Sequence, residues 1–155
     1  MGVSTNGIIG FGVPCDEGTE FPWDADEFEG DIEAWWRHEN GFKDVHQPWT
    51  PEGEYAPGWT KGDPRLEEYY AARRVWMNAH PVPVELENYC SAGCPMYAIT
   101  LPGHGARCHR GYPEKFDPAQ FLVREDEITG LKGFMEKYGI EGEGEPRWLL
   151  MSYWG

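Results

Sequence analysis

The stretch YCSAGCPMYAITLPGHGARCHRG, residues 89–111, gathers three of the four cysteines and two of the five histidines in the chain. Cys90 and Cys94 stand four apart, and His104 and Cys108 follow at a similar spacing. Thiolate sulfur and imidazole nitrogen are the ligands zinc prefers, so these four residues could form a structural zinc site. A strand over 104–110 would oppose that site, because neighbours such as Cys108 and His109 then face opposite sides of the sheet. Free cysteine also serves as a small buried hydrophobe. The reading is therefore a pair of sheet strands that carry sulfur, with no cofactor, and zinc on Cys90, Cys94, His104 and Cys108 is the alternative.

Nucleophilic catalysis needs a thiolate and a base that meet in space, and adjacency of Cys108 and His109 along a strand does not supply that. Cys15 follows Pro14 at the head of an acidic run, where carboxylates disfavour the thiolate. Paired carboxylates for acid–base work leave no signal in a chain with 27 acidic residues. No catalytic residue is assigned. Arg107, His109 and Arg110 lie among the glycines of LPGHGARCHRG. They could hold a small anion in a turn, or satisfy acidic neighbours. Neither GxxxxGK[ST] nor a helix-opening GxGxxG occurs, so a phosphate loop is not expected.

The charge is the other chemical signal. The chain carries −14 at neutral pH. Asp16, Glu17, Glu20, Asp24, Asp26, Glu27, Glu29, Asp31 and Glu33 all precede Arg37, the first basic residue. Such a field disfavours direct contact with nucleic acid phosphates or an anionic membrane. It suits either a solvated loop or a surface for a basic protein partner. On the second reading Asp16, Glu17, Glu20, Asp24, Asp26, Glu27 and Glu29 meet the partner, with Phe21 and Trp23 as anchors. Neutralising them would weaken binding far more than neutralising Glu141, Glu143 and Glu145. The loop aromatics Trp23, Trp49, Tyr55 and Trp59 have a second reading, in which they pin their own loops.

The elements that would position these groups follow from pattern. At 155 residues, with eight tryptophans, eight tyrosines and seven phenylalanines, one compact domain over 1–155 can bury a real core. GIIGFGV reads as a glycine-rich strand ended by Pro14, with an acidic loop about 14–30 after it. DIEAWWRHENG reads as a helix, Asp31 near its start and Gly41 at its stop. A long aromatic loop spans about 42–62. GDPRLEEYYAARRVWMNAHP is a helix with Asp63 as cap, Pro64 in the first turn and a buried stripe through Leu66, Tyr70 and Met77. In VPVELENYC, Val84, Leu86 and Asn88 point one way, and Glu85, Glu87 and Tyr89 the other. MYAITLP and HGARCHRG read as two further strands, residues 125–138 as a helix, and RWLLMSYW as a closing strand. This order predicts an α+β fold: a mainly antiparallel sheet of about four to five strands with three helices packed against it. The absence of an apolar run of transmembrane length and of a basic leader predicts a soluble cytoplasmic protein with free thiols.

Several segments together resemble a set of uncharacterised small acidic accessory proteins of tailed bacteriophages. They are GIIGFG, FPWD, DIEAWW, AARRVWMNAHPVPVELENYCSAGCPMY, HRGYPEKF and WLLMSYWG. The resemblance implies a phage protein made in the cytoplasm of an infected bacterium, and no activity or catalytic residue. Three functions stay open: a binding protein that inhibits a host defence system through an acidic, DNA-like surface; an enzyme or sequestering protein for a small anion such as a signalling nucleotide; and an assembly component of the phage. The host protein would be one that normally binds nucleic acid. Oligomeric state is left undetermined.

Overall fold

A computed structural model describes residues 5–42, 48 and 54–154. Three α-helices and a four-stranded mixed sheet, antiparallel except at one closing pair, give an α+β fold. The chain divides into two compact units, residues 1–20 with 83–155, and residues 21–82.

The first unit is a small closed barrel with strand order β1-β3-β2-β4: β1 Thr5–Pro14, β2 Glu85–Ser91, β3 Cys94–Cys108 and β4 Arg147–Trp154. β1 pairs antiparallel with β4, from Thr5 opposite Trp154 to Gly12 opposite Arg147, and with β3 on its other side. β2 and β3 form a hairpin, and Cys90 and Ser91 close the barrel by parallel pairing with Tyr153 and Trp154. Inside, Ile8, Ala98 and Met151 are buried with Tyr89, Leu149 and Tyr153 packed on them. Phe11, Val13, Ile99 and Leu101 are buried as well. The third helix, Glu125–Tyr138, contacts β3 and buries Leu131, Phe134 and Met135, spaced three and four apart on one face. Gly139, in the left-handed conformation at φ 65°, ends it.

The four strands fall within the expected four to five, and the segments MYAITLP and HGARCHRG, read as two strands, belong to one. The register jumps from Gly10 opposite Gly105 to Gly12 opposite Thr100, so Leu101–His104 oppose Phe11 alone. The Pro-Gly pair that reads as a break between strands is a wide bulge within β3. Glycine is required where the backbones cross there. A Cβ on Gly12 would lie 2.0 Å from the Ile99 carbonyl oxygen, and one on Gly105 2.2 Å from that of Ile9.

The second unit holds α1, Ile32–Glu39, and α2, Arg65–Ala79. The Asp31 carboxylate caps α1 by accepting from the Glu33 and Ala34 amides at 2.9 and 3.0 Å. Asp63 accepts from the Arg65 amide at 3.0 Å, the capping role expected of it. The expected buried stripe on α2 shifts by one position. Leu66, Tyr69, Arg73, Trp76 and Met77 are half-buried, Tyr70 is exposed, and no residue of the helix is fully buried. Polar contacts complete this face: Arg73 pairs with Glu33 at 3.3 Å, and the Trp36 indole donates to the His80 carbonyl at 2.9 Å. Of the long aromatic loop 42–62, Arg65 lies 4.5 Å over the Trp59 ring, which pins that tryptophan. Trp49 lies outside the described residues.

Candidate functional site

The acidic segment begins in the barrel unit, at Asp16, Glu17 and Glu20, and continues in the second unit from Asp24 onward. It has defined local structure: Thr19 turns back on the Asp16 carbonyl, and a 3-10 turn spans Pro22–Asp24. The Asp24 carboxylate accepts from the Phe21 amide at 2.9 Å. Phe21 and Trp23 are not partner anchors. They are 6% and 0% exposed, stacked on each other at 5.1 Å, with Trp23 against Trp35 at 5.2 Å. Their apolar area is spent on the interior, which favours pinning over anchoring.

The nine acidic residues ahead of Arg37 sort into two groups. Asp24 and Asp31 hold backbone amides, and Glu33 faces Arg73 and Arg37. Asp16, Glu17, Glu20, Asp26, Glu27 and Glu29 are exposed, and among the described residues none of the six has an ion pair. Elsewhere some carboxylates find cations, Asp63 with Arg65, Glu87 with Arg107, Asp126 with Arg124, and Glu145 with Lys132, while exposed Glu67, Glu68, Glu114, Glu125, Glu136, Glu141 and Glu143 have no ion pair among the described residues, so what marks the segment is the density of such acids along it. Glu141 lines the same hollow as Asp16, Glu17 and Glu20 and so belongs to the acidic face, which makes it a poor reference position.

The Cys/His stretch is spread along the barrel. Cys90 stands opposite Pro95 and Cys94 opposite Ser91, so the two do not face each other across the hairpin. Cys90 adopts φ 74°, a strained backbone for a residue with a side chain. His104, in the bulge, lies between the Gln120 carbonyl at 3.0 Å and the Glu127 carboxylate at 3.1 Å. The Cys108 thiol lies 3.3 Å from the Tyr112 carbonyl. Among the described residues no three potential ligands gather around a metal position, and all four cysteines are free. Burial pushes the Cys15 thiol up to about 11, with a smaller contribution from Asp16, so the inert thiol expected from charge owes more to its buried position.

Arg107, His109 and Arg110 do not converge. His109 and Arg110 line an open depression with Gly7 and Tyr112, and His109 reaches the Asn6 side chain at 3.3 Å. Arg107 lines a different cavity of about 200 Å³ at the barrel mouth, beside Glu85, Glu87, Thr100 and His104. Its guanidinium pairs with Glu87 at 2.6 Å. Glu85 faces the same cavity with no partner for its carboxyl among the described residues. Burial raises the Glu85 pKa, and the Glu87 charge raises it further.

Sequence reasoning placed Glu85, Glu87 and Tyr89 on one face but gave the carboxylates no role. The available signal was the alternation Glu-x-Glu-x-Tyr, in which the tyrosine identifies the inward face. Compared with protein-family models, curated proteins and solved structures, the chain matches none. Among the described residues no helix is long and apolar enough to cross a membrane.

Proposed function

We propose that the chain is a phage-encoded binding protein that occupies a host defence protein through its acidic segment, in the cytoplasm of the infected bacterium. The observation that carries this reading is the six exposed carboxylates that have no ion pair among the described residues, in a chain of net charge −14. Carboxylates that stabilise their own fold sit against cations or helix amides, as Glu33 and Asp31 do. These six leave their field turned outward. A basic cleft that normally grips nucleic acid is the matching surface, and charge complementarity would speed association and make it sensitive to salt. Within the second unit, buried Phe21 and Trp23 shape the stretch that carries Asp26, Glu27 and Glu29.

The test is capture from host lysate by three forms of the full chain: unmodified, Asp26→Asn/Glu27→Gln/Glu29→Gln, and Glu68→Gln/Glu114→Gln/Glu136→Gln. The second and third differ from the first by equal charge. A basic protein retained by the first and third forms, and lost from the second and in high salt, is the expected result. Screening shortens the reach of a charge from ~10 Å at 0.1 M salt to ~3 Å at 1 M. Equal weakening by both triple variants would overturn the localised surface.

A further inference from the structure

His104 sits where β3 leaves its partner strand. Leu101–His104 oppose Phe11 alone, and Gly103, just before the histidine, takes the left-handed φ of 74°. Gly105, just after it, passes so close to β1 that a Cβ would lie 2.2 Å from the Ile9 carbonyl oxygen. Glycine is thus needed on both sides, and the bulge sets the imidazole between two other elements. Nδ1 lies 3.0 Å from the Gln120 carbonyl oxygen, in the 3-10 turn Pro118–Phe121. Nε2 lies 3.1 Å from the Glu127 carboxylate, in the first turn of the third helix. The histidine side chain is only 13% exposed.

Both partners can only accept. A peptide carbonyl has no proton to give, and the Glu127 carboxylate already accepts the Arg124 amide at 2.8 Å on its other oxygen. A neutral imidazole carries one N–H and turns a lone pair toward the second oxygen, whereas an imidazolium carries two and satisfies both. We propose that His104 is a proton-dependent clasp: doubly protonated, it ties the β3 bulge to the Gln120 turn and to the third helix, and on losing a proton it keeps Glu127 and releases Gln120. The ionised carboxylate retains the remaining proton because a charged acceptor makes the stronger hydrogen bond. The release is local, since Phe121 still packs on Trp148 at 4.8 Å. Other charges also surround the ring. Arg124 lies 3.4 Å from the Glu127 carboxylate and is bound to Asp126, while Asp117 caps the turn by accepting from the Ala119 amide. From the barrel, Glu85, Glu87 and Arg107 line the same hollow as His104, with Arg107 bound to Glu87. Carboxylates and guanidinium groups ordinarily keep their charge between about pH 5 and 8, and imidazole ordinarily does not. Burial, and then the Glu87 charge, push the Glu85 carboxyl up, so the test removes that group as well. The clasp is closed on the acid side of the imidazole range and opens as pH rises. It opens again in strong acid, once Glu127 takes up a proton.

The experiment is amide hydrogen exchange of the full chain at about pH 5.5 and about pH 8, corrected for the intrinsic effect of pH on exchange. The reporters are the Gln120 and Leu122 amides, whose bonds to the Asp117 and Ala119 carbonyls close the turn. Their protection should fall by about tenfold at the higher pH, the worth of one hydrogen bond, while Leu131 and Phe134 in the third helix keep theirs. His104→Gln should abolish the pH dependence, and Glu85→Gln and His109→Gln should retain it. Equal protection at the two pH values in the unmodified chain would overturn the clasp. So would a fall that survives His104→Gln, one that vanishes in Glu85→Gln, or one shared equally by the third helix. A measurement without any variant guards against misfolding. Nitrogen-15 spectra of the His104 ring should show protons on both nitrogens at the lower pH and on Nε2 alone at the higher. A proton left on Nδ1 alone would mean that the ring keeps Gln120 and lets go of Glu127, which sinks the proposed direction of release.

Discussion

The acidic segment and the barrel mouth both present carboxylates to solvent, but the chain treats them differently. At the segment, six acids stand exposed with no ion pair among the described residues, and in the second unit the apolar work is done by Phe21, Trp23 and Trp35. At the mouth, two acids are turned inward by strand alternation, crowded together and half neutralised by Arg107. The first arrangement can act only through its summed field, which salt screens. The second acts through position, since the strand register sets both residues on one face and Arg107 holds Glu87. Identical side chains thus become a diffuse surface or a local site according to which face of an element carries them.

The largest effect should come from removing what shapes the segment. Trp23→Ala deletes a fully buried indole and should cost about 3–5 kcal/mol of stability in urea unfolding. Glu27→Gln, exposed and unpaired among the described residues, should stay within about 0.5 kcal/mol. The indole nitrogen of Trp23 is buried with no hydrogen-bond partner among the described residues. Trp23→Phe keeps most of the apolar mass while removing that orphaned donor, so it should cost clearly less than Trp23→Ala. If Trp23→Ala left stability intact and only a partner were lost, the tryptophan would be an anchor after all.

At the barrel mouth the corresponding break is made with one methyl group. Gly105→Ala would drive a Cβ into the Ile9 carbonyl and should cost about 1–3 kcal/mol as strands separate. Gly7→Ala is the matched control in β1, where a Cβ meets nothing within 4 Å. Thermal unfolding of the two variants should differ by several degrees, and equal behaviour would mean that the crossing is not tight.

These two sites also show what was readable beforehand. The helix over 125–138, the capping by Asp31 and Asp63 and the strand at GIIGFGV follow from local periodicity and from residues acting on their nearest neighbours. The bulge at Leu101–His104 does not, because Pro102 and Gly103 look like the end of a strand unless the partner strand is known to continue beside them. The same limit hid the site. That Glu85 and Glu87 share a face is a matter of alternation, but which face lines a barrel depends on closure by Cys90 and Ser91 against β4, more than 60 residues away along the chain. The roles of Phe21 and Trp23 were ambiguous for a related reason: an aromatic residue among acids is equally consistent with an anchor and with a plug until Trp35 is seen against it.

The smallest expected effect is also the most direct comparison of one carboxylate with another. Glu85 has a raised pKa, from burial first and the Glu87 charge second. Its folded form holds the proton more tightly than the unfolded chain does, so its contribution to stability falls as pH rises through the carboxylate range. Glu127 is shifted the other way, by the Arg124 amide first and by His104 second. It stabilises the fold above its unfolded value of ~4.3, and that contribution is lost as pH falls through its lower folded value. Melting temperatures from pH 3 to pH 7 should therefore diverge in opposite senses. Glu85→Gln should match the unmodified chain in acid and exceed it at neutrality, while Glu127→Gln should match it in acid and fall below it at neutrality. Parallel curves for the two variants would mean that the Glu87 charge does not act on Glu85, and that a carboxylate beside a like charge behaves as one held by an amide and an imidazole does.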